Sequence, residues 1–497
     1  MPSEKERIMP ATKPFNIVFI MTDQQAYEML GCNGSDWVHT PNLDKLAGSA
    51  CRFTHCYTSA PVCTPARAGL FTGMYPSSAG AGTNLQPLFD DTRHLGQVFC
   101  AAGYTSAYVG KWHLDGMTGG YYGTGVCPDG FLDEYWYDGR RYMVDVGEKG
   151  FAKWQKGEGL AASDCWANRV ADRAVRFLEE HSKAPFFLVA SFDEPHGPSS
   201  APQEFYDMYK GTKRPWKANM GDRLDKKPAT HRTLMELQGR SGYVPDGEMP
   251  NNTPRMFGCN TYVDVEIGRV VDAVDRFCPD NTIIVYTVDH GDHMGSHTLT
   301  AKGATMYEEI TRTPLIVRVP GITTPGSVSE ALVNHVDLAP TLCKLAKVPP
   351  PMFELPQQYR SSGHAHEHPQ FQGVDITPAL KKPDASVQDA TFIEFNRFEL
   401  PQHTRWGFTP IRCIRTNRYK LAINLLDVDE LYDLQEDPGE MVNRIDDPVL
   451  AKVRDELHDR LLTWMDKRID PLRGNGWWQR SWRPSKIMPA NYEPGKK

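Results

Sequence analysis

The chain has 497 residues, too many for one small core, with 40% hydrophobic and 24% charged residues in ordinary globular proportion. A net charge of −7 argues against a nucleic-acid binder, which shows a basic excess, yet leaves room for a local cationic pocket around an anion. The 11 cysteines form an odd set without disulfide-framework or zinc-finger spacing, and the apolar run after the polar N-terminus is too short for a signal peptide. Nothing else is long and apolar enough to span a membrane, so a reduced cytoplasmic protein is expected, with export after loss of a leader as the alternative.

The segment Asn16 to Met21 is continuously apolar and β-rich, which predicts a strand buried on both faces. Thr22-Asp23-Gln24-Gln25 follows at its carboxyl end, where open α/β sheets place ligands. Pro41 to Ala50 reads as a helix. Next, Ala60 to Gly73 makes a Pro-bounded turn that delivers Cys63 to a helix start. Pro65 suits the first helical turn, and Arg67 projects back over it, so dipole and guanidinium both favour an anion at the thiol.

A second strand, 103–110, ends in Lys111-Trp112-His113, and 165–181 has helical periodicity. The third strand, 186–191, ends in Asp193-Glu194-Pro195-His196. Residues 199–255 read as a polar surface excursion, 256–277 as a helix, and 282–287 as a fourth strand ending in Asp289-His290. A fifth strand, 315–319, and a helix at 336–347 follow. Alternating buried strands and helices predict an α/β fold: a mostly parallel sheet sandwiched by helices.

A Pro-, Gln- and His-rich stretch, 350–388, separates this region from short strands at 391–396, 410–416 and 419–424, then Glu430-Leu-Tyr-Asp-Leu434 and a helix near 449–466. These predict a small C-terminal α+β subdomain with an antiparallel sheet. The expected domains are 1–370, catalytic, and 385–497, C-terminal, with 470–497 as an irregular wrap.

Asp23, Gln24, Asp289 and His290 close buried strands beside Cys63, and hard oxygens with one imidazole suit Ca²⁺, with Mn²⁺ or Mg²⁺ as alternatives. His290, His293 and His297 could suggest zinc, but no thiolates or carboxylates are arranged around them, and only His290 is taken as a ligand. Lys111, His113, His196 and Lys302 supply the cations and proton carriers that cleavage of a tetrahedral oxyanion ester needs. The aromatic segment 121–142 could grip a sugar or be a packed loop; Asn396-Arg397 could reach the same pocket. Gly80-Ala81-Gly82 follows no strand and is no dinucleotide site.

The run Pro61-Val-Cys63-Thr-Pro65-Ala-Arg67-Ala-Gly-Leu-Phe-Thr-Gly73 resembles the signature of the type I sulfatases, the formylglycine-dependent branch of the alkaline phosphatase superfamily. Gly110-Lys-Trp-His-Leu114, Glu194-Pro-His-Gly-Pro198 and Asp289 to Lys302 (D-H-G-x-x-x-G-x-H-x-x-x-x-K) match further family motifs. Tyr419-Lys-Leu421 and Glu430-Leu-Tyr-Asp-Leu434 look like the family's C-terminal subdomain. Asp23-Gln24 departs from the commoner Asp-Asp, and with His290 it is similar to the subgroup of choline sulfatases and phosphonate monoester hydrolases.

The resemblance implies an alkaline-phosphatase-like fold and one divalent cation held by Asp23, Gln24, position 63, Asp289 and His290. It implies that Cys63 becomes formylglycine (3-oxoalanine) through a formylglycine-generating enzyme. The hydrated aldehyde, assisted by Ca²⁺ and Arg67, then attacks sulfur, and a covalent sulfoenzyme releases sulfate by elimination. In that scheme Lys111 and Lys302 bind the sulfate, His113 contacts the formylglycine, and His196 or Lys302 protonates the leaving alcohol. The expected substrate is a small-molecule or saccharide sulfate ester, with a sulfated carbohydrate favoured; nucleic acid and membrane are not expected as partners. Three alternatives remain: a phosphate or phosphonate ester hydrolase, a non-catalytic binder of sulfated glycans, and a cysteine hydrolase using the free thiol.

Overall fold

Seven strands form the main sheet: β1 (Asn16–Asp23), β2 (Cys51–Tyr57), β3 (Thr105–Gly110), β4 (Phe186–Pro195), β5 (Thr282–Val288), β6 (Arg312–Arg318) and β7 (Ser327–Asn334). Their order is β3-β4-β1-β5-β6-β2-β7. The computed structural model describes residues 13–212, 214–215, 217–238, 253–354, 367–399, 407–468 and 470–487.

Strand β1 pairs in parallel with β4 and β5, and β3 with β4. Four consecutive strands therefore end on the same edge, which is where the site is built. Strand β6 departs from the parallel pattern, running antiparallel to both β5 and β2. The chain leaves β5 at its carboxyl end and re-enters the sheet beside it without crossing a face, and such a neighbour must run backwards. Strands β2 and β7 carry no unbroken apolar run in CRFTHCY and SVSEALVN, so hydrophobic pattern alone does not announce them.

The period of two in β1 divides its side chains between two cores. Val18 and Ile20 face a layer containing the helices Trp166–His181 and Thr253–Phe277, with Val170, Phe177 and Val270 in contact range. Ile17, Phe19 and Met21 face the other layer, where the helix Cys63–Thr72 contributes Ala68, Leu70 and Phe71. All ten residues of that helix are buried. Phe71 sits 5.6 Å from Phe19 and 5.5 Å from Tyr108 between ring centroids, anchoring the helix by burial worth about 2–3 kcal/mol.

A two-stranded pair, β8 (Met352–Glu354) and β9 (Glu367–Pro369), lies within the stretch read as a linker. The second sheet comprises β10 (Ala390–Phe395), β11 (Ile411–Thr416), β12 (Tyr419–Asn424) and β13 (Glu430–Asp433), antiparallel in sequential order. The helix Ala451–Lys467 covers one of its faces through Leu461, Trp464 and Met465.

The segment read as a surface excursion contains the helices Gln203–Asp207 and Ala229–Leu237; its residues 239–252 lie outside the described ones, as do 488–497 of the tail. The helix Gly139–Lys156 begins inside the segment read as an aromatic loop, its first turn capped by Asp138, which accepts from Arg141 N. Among the described residues no helix is long and apolar enough to cross a membrane. The eleven cysteines are all free.

Candidate active site

The ends of β1 and β3 deliver their side chains through a constrained backbone. Gln24 and His113 adopt φ of 58° and 61°, the left-handed region that non-glycine residues enter only when their surroundings hold them there. Gly110, which places Lys111, has φ 109°, and a Cβ there would meet Ser191 O at 1.8 Å. Only glycine fits that position. At the start of the nucleophile helix, Thr64 N donates to Asn84 Oδ1 (2.9 Å) and Thr64 Oγ1 donates to His113 O (2.7 Å).

Cys63 is buried at the centre. Its Sγ lies 2.8 Å from Lys302 Nζ, 3.3 Å from His290 Nε2 and 3.7 Å from Asp23 Oδ1. Arg67 clamps the floor: Nη2 is 3.0 Å from Asp23 Oδ2 and Nε is 3.1 Å from Asp289 Oδ2. Its Nη1 donates to Lys111 O (2.5 Å) and Ser191 Oγ (3.0 Å). Lys111 Nζ is 2.7 Å from Asp23 Oδ2 and 3.0 Å from Asp193 Oδ1, so it lies in the floor, ion-paired. His196 borders the opening, with Nε2 3.9 Å from Asp23 Oδ1 and a side chain 19% exposed.

The structure brings together Asp23, Cys63, Arg67, Lys111, His113, His196, Asp289, His290 and Lys302. Gln24 enters differently: its backbone N donates to Asp289 Oδ1 (3.1 Å), while its side-chain Nε2 donates to Asp292 Oδ2 (2.6 Å). His293 pairs with Thr305 Oγ1 (2.9 Å) and His297 with Asp222 Oδ2 (2.7 Å), so neither joins His290. In the aromatic segment Tyr135, Trp136, Tyr137 and Tyr142 are buried in the cores, whereas Tyr121 reaches the site. Asn396 is committed to structure, donating to Gly82 O (3.2 Å) and accepting from Arg412 Nη1 (2.9 Å). Asn84, Tyr121 and Asp193 are additions. Asp193 was visible as a strand-end acid, but Asn84 carries no motif, since its role comes from chain reversal beside residue 64.

Burial, the largest influence, pushes the Cys63 thiol up, and Asp23 adds to that; Lys302, Lys111 and His290 outweigh both and bring it down to about 6. Burial likewise opposes ionisation of Asp23, yet Lys111, Lys302, His196 and Arg67 hold it well below the usual carboxylate range. Asp289 is raised to about 6 by burial and by Asp23, against His290 and Arg67. Burial first, and then the neighbouring cations, push the pKa of His113 and of His196 below the ordinary histidine value. His113 Nδ1 has no hydrogen-bond partner among the described residues.

Ligand atoms of Asp23, Cys63, Asp289 and His290 all lie within 4.8 Å of one another, so this cluster could hold a metal ion. Two mutually repelling carboxylates and one imidazole form a donor set that a divalent cation satisfies, so the residues fit the group. The arrangement pairs such a cluster with an activated atom at position 63 and cations on either side of it. That is the equipment of a hydrolase acting on a tetrahedral oxyanion ester, carried on an alkaline-phosphatase-like α/β fold.

The sulfatase family profile matches residues 15–348, and the profile of the N-sulphoglucosamine sulphohydrolase C-terminal region matches 295–467. The chain belongs to the sulfatase family, the sulfuric ester hydrolases. It is 40% identical to an uncharacterised Escherichia coli K12 sulfatase, YidJ, over 94% of this chain and 90% of that one. It is 27% identical to an N-acetylglucosamine-6-O-sulfatase of Bacteroides thetaiotaomicron, covering 90% and 85%. In fold it resembles a phosphonate monoester hydrolase of Agrobacterium radiobacter, with TM-score 0.75, 23% identity and coverage of 92% and 96%.

Proposed function

We propose that the protein hydrolyses sulfate monoesters of a sulfated carbohydrate, using formylglycine made from Cys63 and one divalent cation. The observation that carries this reading is the convergence on Cys63 Sγ of Lys302, His290 and Asp23 above the Arg67 clamp. The residues that would hold the cation are Asp23, Asp289, His290 and position 63. Gln24, expected in the same set, has its amide nitrogen on Asp292, so its oxygen is the atom that would serve. Ca²⁺ suits these oxygens best, and when bound it would lower the cost of negative charge on the nucleophile and the ester. A hydrated aldehyde at 63 would supply an oxygen nucleophile that can later expel sulfate without a second attack at sulfur.

The chain's own residues do the rest. Arg67 spans Asp23 and Asp289 and favours the charged form of each. Lys302 stands where charge develops on the transferring group, and Lys111 balances Asp23 from below. His196, at the opening, exchanges a proton with the departing ester oxygen, with Lys302 as the other candidate. His113, whose Nδ1 has no hydrogen-bond partner among the described residues, can take a proton from the nucleophile side. The carbohydrate preference is supported by the name of the Bacteroides thetaiotaomicron relative. The phosphonate hydrolase of like fold keeps phosphonate and phosphate esters as the second reading, because these cations do not distinguish tetrahedral oxyanions.

The test uses full-length protein made with a formylglycine-generating enzyme. The tryptic peptide carrying residue 63 loses about 18 Da relative to cysteine if the aldehyde is present. Turnover is then compared on 4-nitrophenyl sulfate, phosphate and phenylphosphonate, and on sulfated glucosamines. Sulfate turnover by protein retaining an unmodified thiol sinks the mechanism, and faster phosphonate turnover by aldehyde-bearing protein replaces the substrate class.

A further inference from the structure

Tyr121 touches more of the site than any motif suggests. It follows Gly120, whose φ 54° and ψ −147° belong to a region only glycine reaches, and this turn directs the phenol inward. Its hydroxyl is 2.5 Å from Asp193 Oδ1 and 2.8 Å from His196 Nδ1. Its ring lies under Lys111 Nζ, 3.8 Å from the centroid, and edge-on to His113 at 5.4 Å.

Counting protons fixes the direction of these bonds. Asp193 Oδ1 also faces Lys111 Nζ at 3.0 Å, so it accepts, and the single phenolic proton goes to it. The phenolic oxygen therefore accepts from His196, which requires a proton on Nδ1. Gly197 O, 2.8 Å from the same nitrogen, can only accept and demands the same. That carbonyl belongs to the next residue and moves with His196; Tyr121 is the tie between the imidazole and the rest of the site.

We propose that Tyr121 is a positioning residue for proton transfer at His196, pinning the ring proton on Nδ1 so that Nε2 alone exchanges a proton with the departing ester oxygen. The inference rests on the ester-hydrolase reading above. As the sulfuryl group moves to the nucleophile, the bond from sulfur to the ester oxygen breaks and its electron pair stays on that oxygen. The oxygen takes a proton delivered at Nε2, and His196 is left in the Nδ1–H form. Nδ1–H stays bonded to Tyr121 throughout the transfer, with Asp193 behind the phenol.

Two measurements test this. In ¹⁵N-histidine-labelled full-length protein, with the His196 signals assigned by their loss in His196→Gln, the neutral ring is expected to carry its proton on Nδ1. A proton on Nε2 overturns the proposal whether or not any ester is hydrolysed. In kinetics, aldehyde-bearing Tyr121→Phe, which keeps the ring, is compared with wild type on 4-nitrophenyl and phenyl esters. The loss in kcat/KM is expected to be about 10–100-fold greater for phenyl, whose oxygen needs the proton more. In the His196→Gln background Tyr121→Phe is expected to add less than about 2-fold, since residues acting as a unit are non-additive. Equal losses across leaving groups, or full additivity, mean a structural role and overturn it. Should only phosphonate esters turn over, the same series is run on them: the sulfate reading then fails while this inference is judged by the same slope.

Discussion

Lys302 Nζ and Cys63 Sγ stand 2.8 Å apart in a buried site, although 239 positions separate them in sequence. In the proposed mechanism the contact would put a positive charge beside the side chain that supplies the nucleophile and beside the group it attacks. Lys302→Ala is expected to lower kcat/KM on aryl sulfates by about 10²–10³-fold, the usual cost of one preorganised charge donor. Lys302→Arg, bulkier and planar, is not expected to restore it. Steady-state kinetics of aldehyde-bearing protein decide this, and a loss below about 5-fold would remove Lys302 from the proposed machinery.

Arg67 bridges two strand ends, with separate nitrogens on Asp23 (3.0 Å) and Asp289 (3.1 Å). A lysine's single ammonium cannot reproduce the two contacts that separate guanidinium nitrogens make, so Arg67→Lys breaks one of the two buried pairs. The expected destabilisation is about 3–5 kcal/mol in urea unfolding, the range for breaking a buried ion pair. Unchanged stability would show that the clamp adds nothing beyond its own desolvation.

Removing divalent cations tests the cluster of Asp23, Asp289 and His290 directly. Dialysis against a chelator is expected to abolish turnover and lower the thermal midpoint, and returning Ca²⁺ at 100 times its Kd restores about 2.7 kcal/mol. In Asp289→Asn the Ca²⁺-dependent rise in midpoint is expected to shrink or vanish. A chelator with no effect on either readout would favour a cation-free hydrolase.

Most of the catalytic sheet was legible because β1, β4 and β5 are buried on both faces and read as largely apolar runs, and β3 carries a shorter one, Ala107 to Val109. Their polar ends stood out against those runs. Strands β2 and β7 alternate or carry Ser and Glu, so their burial comes from neighbours that the local pattern does not reveal. The direction of β6 depends on which edge the chain re-enters, a long-range fact. Tyr121 and Asn84 were hidden for a related reason: each contacts residues 20 or more positions away, and neither belongs to a spaced motif. Lys111 was readable as a cation at a strand end, but not its place in the floor, because only the fold shows Asp23 and Asp193 on either side of it.

The segment that carries Lys302 is held from outside the site by Arg214, Gln238 and Asp222, and of these Asp222 is the acid. Met294, His297, Thr298 and Ala301 all have φ between 50° and 57°, so this loop stores strain that external contacts must offset. Asp222 Oδ2 accepts from His297 Nδ1 (2.7 Å) and pairs with Lys227 Nζ (2.5 Å). Burial pushes the Asp222 carboxyl up, but the His297 hydrogen bond and Lys227 outweigh it and hold it down to about 2. A carboxyl depressed in the folded state adds stability that is present above its unfolded value near 4 and is lost as pH falls toward 2. Wild type is thus expected to lose about 2 kcal/mol from this group between about pH 4 and pH 2. Asp222→Asn is expected to lack that increment at pH 7 and to show a shallower acid limb in urea unfolding at each pH. Because the loop then relaxes away from Cys63, kcat is expected to fall about 10-fold while bound metal, measured by elemental analysis, stays at the wild-type level. Loss of metal together with activity would instead place the effect of Asp222 on Asp289 and His290.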